Sequence, residues 1–349
     1  MQSRQRICNI LNHQPVEGVG LEYHPCQRGL FEHGEKLRAL IKAMPGDFED
    51  FSDTPIPVMP AKALDSEGLY HDFSYDEWGT LWESRIFAMT GHPVKFPLED
   101  MERLSAYGFP PNEYGDQRAF EDLKRRCSIT RKNAYFKAGW FRLLEKMHAL
   151  RPFEDVLMDV YEQTPQISEL ADRLVDYQLR DIRRLIDADA DGIVFGDDYG
   201  TQQAMLLSGD TWRSFFAPRL ERMMEPIKRA NKTVFFHSCG YIEPILPDLK
   251  RMGVDAIWPQ QTAYPKGRLA EIARDLQLAV AVHLDRAHLM TYGTPLEIEH
   301  AVDEAVKTFK LLEGGGWFYV EIDHGFPFEN IEALLRAIAR WRNESPQGD

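Results

Sequence analysis

The chain has 349 residues, 44% hydrophobic and 28% charged, a balance that excludes a largely disordered or fibrous protein. Its 41 lysines and arginines against 55 acids leave a formal charge of −14, which disfavours a nucleic-acid partner because such a surface repels phosphate backbones. No apolar run approaches the roughly 18 residues of a membrane span, the opening MQSRQRICNILNHQP does not read as a secretory leader, and four irregularly spaced cysteines (Cys8, Cys26, Cys127, Cys239) form no disulfide framework. The expected compartment is the cytoplasm, with no membrane association.

Taken in chain order, short apolar runs recur at Val19–Tyr23, Tyr135–Ala138, Gly192–Phe195, Thr233–Phe236, Ala256–Trp258, Leu278–Val282 and Trp317–Ile322. Most are followed by a turn and a segment with helical periodicity: Thr164–Ile186, Gly209–Ala230, Ile242–Met252, Leu269–Leu276, Leu296–Leu312 and Phe328–Trp341. Thr294-Pro295 predicts a capped helix start, and Met252-Gly253 a helix end. Seven strands alternating with helices predict parallel βα units. An eighth strand is expected in the Pro-, Asp- and aromatic-rich stretch between Asp47 and Lys95, which otherwise reads as insertion and loop. Eight units predict a single (β/α)8 TIM barrel, an α/β fold favoured here over an open doubly wound sheet. Residues 1–95 then form an N-terminal segment and first strand with an insertion, and residues 96–349 the main body of the same domain.

In either architecture chemistry collects at the carboxyl ends of the strands. Those ends carry Glu22 and His24, Asp197 and Asp198, His237 and Cys239, Gln260 and Gln261, His283 and Asp285, then Glu321, Asp323 and His324. His237 and Cys239 are two residues apart in an extended chain, so both side chains leave one face of the strand and can offer an imidazole and a thiolate to one ion. Zinc suits such a mixed N/S site. The competing reading is a buried cysteine beside a hydrogen-bonded histidine. A third ligand has to come from another strand end, with Asp323-His324-Gly325 best placed and Glu321, His24 and Glu22 behind it. The Asp197-Asp198 pair suits proton transfer or the orientation of a ligand histidine, or simply a turn and helix cap. No Gly-x-Gly-x-x-Gly and no phosphate-loop motif occurs, so a dinucleotide or P-loop site is unsupported.

The ordered blocks Asp76-Glu-Trp-Gly79, Gly196-Asp-Asp-Tyr-Gly-Thr-Gln202, Phe236-His-Ser-Cys-Gly240, Pro259-Gln-Gln261, Gly293-Thr-Pro295 and Asp323-His-Gly325 resemble the uroporphyrinogen decarboxylase superfamily. Within it the chain is similar to the methyltransferase-type members, relatives of methylcobamide:coenzyme M methyltransferases. The resemblance implies a single barrel with an extra N-terminal segment. It also implies a zinc ion held by the His-x-Cys pair and a later cysteine, and a corrinoid (cobalamin) carried on a partner protein. His237 and Cys239 match the first two ligands; the later cysteine falls on His324, so this chain has a histidine there. Asp197, Asp198 and Asp323 are then expected to orient ligands or move protons. Glu22, His24, Gln202, Gln260 and His283 are expected to line the substrate pocket. Glu22 and His24 stand where true decarboxylases carry arginines, and each close pair of Glu22 with a substrate carboxylate would be repulsive by about 1 kcal/mol or more, which disfavours a porphyrinogen. The expected activity is zinc-dependent methyl transfer between a small methyl donor or acceptor and a corrinoid protein. The alternatives are a metal-free decarboxylase or lyase using Asp198 and His324 for protons, and a non-enzymatic sensor on the same barrel. The sequence leaves a homodimer open.

Overall fold

A computed structural model describes residues 1–24 and 26–343. Backbone contacts divide the chain into two compact units, the first formed by Met1–Pro57, Arg126–Lys137 and the chain from Val254 onward, the second by Val58–Arg125 and Ala138–Gly253.

Among the described residues ten strands occur in chain order: β1 (Gly20–His24), β2 (Asp72–Tyr75), β3 (Leu81–Ser84), β4 (His92–Lys95), β5 (Lys137–Phe141), β6 (Gly192–Gly196), β7 (Thr233–Ser238), β8 (Ala256–Pro259), β9 (Ala279–Val282) and β10 (Gly316–Glu321). In the first unit β1, β10, β9 and β8 lie side by side in that order and run parallel. Their continuous apolar runs follow from burial on both faces, as in parallel sheets covered by helices; β9 is buried at all four positions. In the second unit β7, β6 and β5 are neighbours in that order, and the β6–β7 ladder is parallel from Gly192↔Thr233 to Gly196↔His237. All seven expected strands are therefore present, with Tyr135–Ala138 displaced to Lys137–Phe141.

The stretch between Asp47 and Lys95 departs from expectation. Its three strands, β2, β3 and β4, form a separate antiparallel sheet. Asp76 closes the β2–β3 turn, accepting from the N–H groups of Trp78 at 3.0 Å and Thr80 at 2.9 Å, and from the Trp82 indole at 3.0 Å. The Asp-Glu-Trp-Gly block is thus turn chemistry. In place of an eighth strand there is a single parallel bridge between Phe48 and Tyr135. Asp47 N–H donates to Leu21 C=O at 2.7 Å, and Tyr135 N–H to Asp47 C=O at 2.8 Å. The Asp47 carboxylate is fully buried; it pairs with Arg6, with Arg342 at 2.7 Å and with the Leu21 N–H at 2.9 Å. That charge anchors chain segments from both ends of the sequence beside β1.

The helices match their periodicity. Pro165–Asp187, Ala217–Arg229, Pro295–Phe309 and Phe328–Arg342 each bury one apolar stripe. Thr294 and Glu297 form a reciprocal capping box, and Gly253 ends the helix Leu246–Met252 in the left-handed conformation. Among the described residues no helix is long and apolar enough to cross a membrane.

Candidate metal centre and adjoining cavity

The second unit gathers its chemistry where β6 and β7 end. Because β6 and β7 are in register, Asp197 follows Gly196 opposite His237, and its N–H donates to the His237 carbonyl at 3.1 Å. Successive residues of an extended chain leave opposite faces, so Asp197 and Asp198 part company. Asp197 is 1% exposed. Its carboxylate accepts from the N–H groups of Leu143 (2.8 Å), Leu144 (2.8 Å) and Glu145 (2.7 Å) and from the Tyr199 hydroxyl (2.6 Å). It satisfies the otherwise orphaned N–H groups at the start of the helix Leu144–Leu150. Burial raises the Asp197 carboxyl above its ordinary range, and these four donors oppose that shift. Three backbone N–H groups and the Tyr199 hydroxyl thus account for the Asp197 carboxylate as a structural acceptor at the start of this helix.

Asp198 faces the other way. Its Oδ1 accepts from the Cys239 N–H at 2.7 Å and lies 3.4 Å from His237 Nε2. His237 Nε2 is 3.5 Å from Cys239 Sγ. One donor atom each from Asp198, His237 and Cys239 lies within 4.8 Å of the other two. Burial works to raise the Asp198 carboxyl, but His237 and the Cys239 N–H outweigh it and hold the group below its usual range. Two glycines make this approach possible. A Cβ on Gly196 would come within 2.2 Å of Trp140, so its absence lets the indole stack on the His237 ring, with centroids 5.5 Å apart and planes 30° off parallel. Gly240, at φ +74°, packs on the Gly200 backbone, which a Cβ would approach to 2.2 Å. The loops after β6 and β7 are thereby pressed together, with Tyr241 N–H donating to Thr201 C=O at 2.8 Å. Trp140 thus stands at the centre of this arrangement, while Trp78 is buried against Phe109 and Tyr177.

Asp198 also lines a cavity of about 570 Å³. Phe96, Phe153, Leu206 and two prolines supply its apolar walls; Glu145, His148 and Glu154 supply polar groups besides Asp198. Burial, reinforced by Asp197 and Asp198, pushes the Glu145 carboxyl up to about 7, with Arg142 at 3.2 Å opposing. Burial lowers the His148 imidazole, favouring its neutral form. Glu145 escaped the sequence reading because the strand before it was placed at Tyr135–Ala138; with β5 ending at Phe141, Glu145 sits just beyond a strand end.

An acid whose folded pKa lies above its unfolded value of 4.5 stabilises the fold fully below that value and loses the contribution as pH rises through about 7. Glu145 is thus expected to cost no more than about 3 kcal/mol between pH 4.5 and 7.5. Glu145→Gln should flatten this part of the stability profile in urea titrations across that range. An unchanged profile would show that Glu145 titrates normally.

Of the remaining expected residues, Gln202 belongs to the second unit with the candidate centre and the others belong to the first. Gln202 is exposed on the loop after β6. In the first unit, Glu22 is buried and paired with Lys137 Nζ at 2.7 Å and the Trp317 indole at 2.8 Å, and His24 is exposed at the end of β1, 6.0 Å from the Tyr319 ring. Gln260 Nε2 meets Thr262 Oγ1 at 3.3 Å, and the Gln261 amide donates to the His283 carbonyl at 2.6 Å. His283 borders a second cavity of about 230 Å³. Asp323 accepts from the His324 N–H at 2.7 Å and lies 3.6 Å from Arg286, which also pairs with Glu321. His324 Nδ1 contacts Glu32 and lies 3.2 Å from Arg28. Within the second unit, Asp198 is a third donor within reach of His237 and Cys239.

Parallel βα units with an N, S and O donor set at two adjoining strand ends define an α/β protein with a candidate metal centre. Residues 137–341, more than half of the chain, match the family model for uroporphyrinogen decarboxylase (URO-D). The chain belongs to that family. A methyltransferase from Methanosarcina mazei has a similar fold, at TM-score 0.68 and 15% identity over 97% of this chain and 99% of that one. A B12-independent methionine synthase from Shewanella sp. W3-18-1 matches at TM-score 0.46 and 13% identity, over 87% and 84% of the two chains. A search of curated proteins returned no match.

Proposed function

We propose that this protein is a zinc-dependent methyltransferase that moves a methyl group between a small substrate and a corrinoid carried on a partner protein. The observation that carries the reading is the meeting of Asp198, His237 and Cys239 within 4.8 Å, with Asp198 also on the wall of a cavity large enough for a small substrate. The donor set fits the metal: imidazole, thiolate and carboxylate are the ligand types zinc takes, and three protein ligands are the usual number where a position is kept for substrate. The fold likeness to a methyltransferase supports the same branch of the family.

Bound there, zinc would supply Lewis acidity, either keeping a thiol substrate deprotonated or polarising a leaving group. The chain's own residues do the rest. Trp140 fixes the plane of the His237 ring, and the Cys239 N–H holds the Asp198 carboxylate toward the two other donors. Glu145 stands at the cavity wall as a group that can hold or release a proton near neutral pH.

Metal analysis of protein purified without chelator, combined with zinc-edge X-ray absorption, tests the reading. About one equivalent of zinc in a mixed N/O/S shell with one sulfur is expected. Absence of zinc at any stoichiometry would instead favour the metal-free decarboxylase or lyase, for which the near-neutral Glu145 beside His148 is the pertinent observation.

A further inference from the structure

The walls of the cavity beside Asp198 say which sign of charge it accepts. Three carboxyl groups (Glu145, Glu154 and Asp198) border it, and no lysine or arginine does among the described residues that line it. Two of the apolar walls are phenylalanine rings, Phe96 and Phe153. The single histidine, His148, packs edge-on against Phe153 at 5.4 Å, and burial favours its uncharged form. Arg142, the guanidinium close to Glu145, is paired to it at 3.2 Å and is not a wall residue.

An anionic occupant would enter the field of Glu145 and Glu154, and of Asp198 wherever no metal ion offsets it, with no lysine or arginine on the wall to pair with. A neutral apolar occupant would strip water from Glu145 and return no interaction to its charged form. A cation with methyl groups on its nitrogen meets both kinds of wall: its positive charge faces carboxylates and aromatic faces together, and its methyls pack on the rings. We propose that this cavity binds a methylated ammonium group and discriminates against anions of the same shape. That such a compound is the methyl donor rests on the methyltransferase reading above; the charge preference of the cavity does not. Glu145 adds to the argument, its carboxyl raised by burial and by the neighbouring charges of Asp197 and Asp198. A carboxyl poised near neutrality is drawn into its charged form by an arriving cation, so binding is accompanied by proton release. At about 570 Å³ the cavity also leaves space beyond a tetramethyl head for the remainder of a substrate.

The test is isothermal titration calorimetry on the full chain as purified, at constant ionic strength, with three probes of matched shape: tetramethylammonium chloride, neutral neopentyl alcohol and the anion pivalate. Tetramethylammonium is expected to bind at least about tenfold more tightly than either of the others. Glu145→Gln should weaken the cation about tenfold and leave the alcohol within about twofold. Phe153→Leu, which keeps an apolar wall but removes the π face, should weaken the cation alone severalfold; it decides the matter if Glu145→Gln fails to fold. Pivalate binding as tightly as the cation, or a cation affinity indifferent to both substitutions, overturns the inference. Zinc content is measured on the same samples. Cation preference without zinc keeps this inference and removes the metal reading, whereas zinc with pivalate preference does the opposite.

Discussion

On the proposed reading, alanine in place of His237 is expected to reduce bound zinc from about one equivalent to less than about a tenth, and methyl transfer by at least about 100-fold, since the proposed three-ligand site would keep only a thiolate and a carboxylate. Cys239→Ser should behave similarly, because a serine hydroxyl is a far weaker zinc ligand than a thiolate at neutral pH. The informative comparison is between the two candidates for third ligand. Asp198 Oδ1 lies 3.4 Å from His237 Nε2 and is held there by the Cys239 N–H, whereas His324 contacts Glu32. Asp198→Asn should therefore weaken zinc about 10- to 100-fold, while His324→Ala should leave metal affinity within about threefold. Competition against a chromophoric chelator measures both. The reverse order would return the third position to His324. Trp140→Leu should fall between, because it leaves all three donors but frees the His237 ring from its stack.

The largest effect on stability is expected at Asp197. Removing its carboxylate by Asp197→Ala strands three N–H groups at the start of one helix and the buried Tyr199 hydroxyl. Each unsatisfied buried donor costs about 1–3 kcal/mol. Water entering the vacated space would recover part of this, so a net loss of about 3–5 kcal/mol is expected. Asp197→Asn should cost less, since one oxygen still accepts, although its amide nitrogen then faces donors. Urea titration followed by far-ultraviolet circular dichroism reads both losses. A loss under about 1 kcal/mol for Asp197→Ala would show that the helix start does not depend on this side chain. Because the same helix start carries Glu145, Asp197 variants should also disturb the cavity wall, a coupling that double variants with Glu145→Gln can measure.

Much of the scaffold was legible in the chain alone. The seven parallel strands coincide with seven apolar runs, and the major helices with stretches of 3.6-residue period, because burial on two faces or along one stripe leaves a local mark on composition. Caps such as Thr294 and Gly253 are also local. The bridge at Phe48 was illegible because a single pairing leaves no periodicity. The antiparallel sheet β2–β4 was read as loop for a related reason: its strands have four residues each and bury little.

The same division runs through the candidate centre. By itself the sequence determined that His237 and Cys239 would project together, since residues two apart on a strand share a face. Only the tertiary structure decided between Asp197 and Asp198. Identical side chains at adjacent positions took opposite parts, one spent on the start of a helix more than fifty residues earlier and the other turned to His237. It likewise brought Trp140 over His237 and Glu145 into the cavity wall, neither of which has any local signature. A backbone pattern is written by neighbours along the chain, but the burial, charge and hydrogen-bond partners that set what a carboxylate does come from segments that meet only after folding.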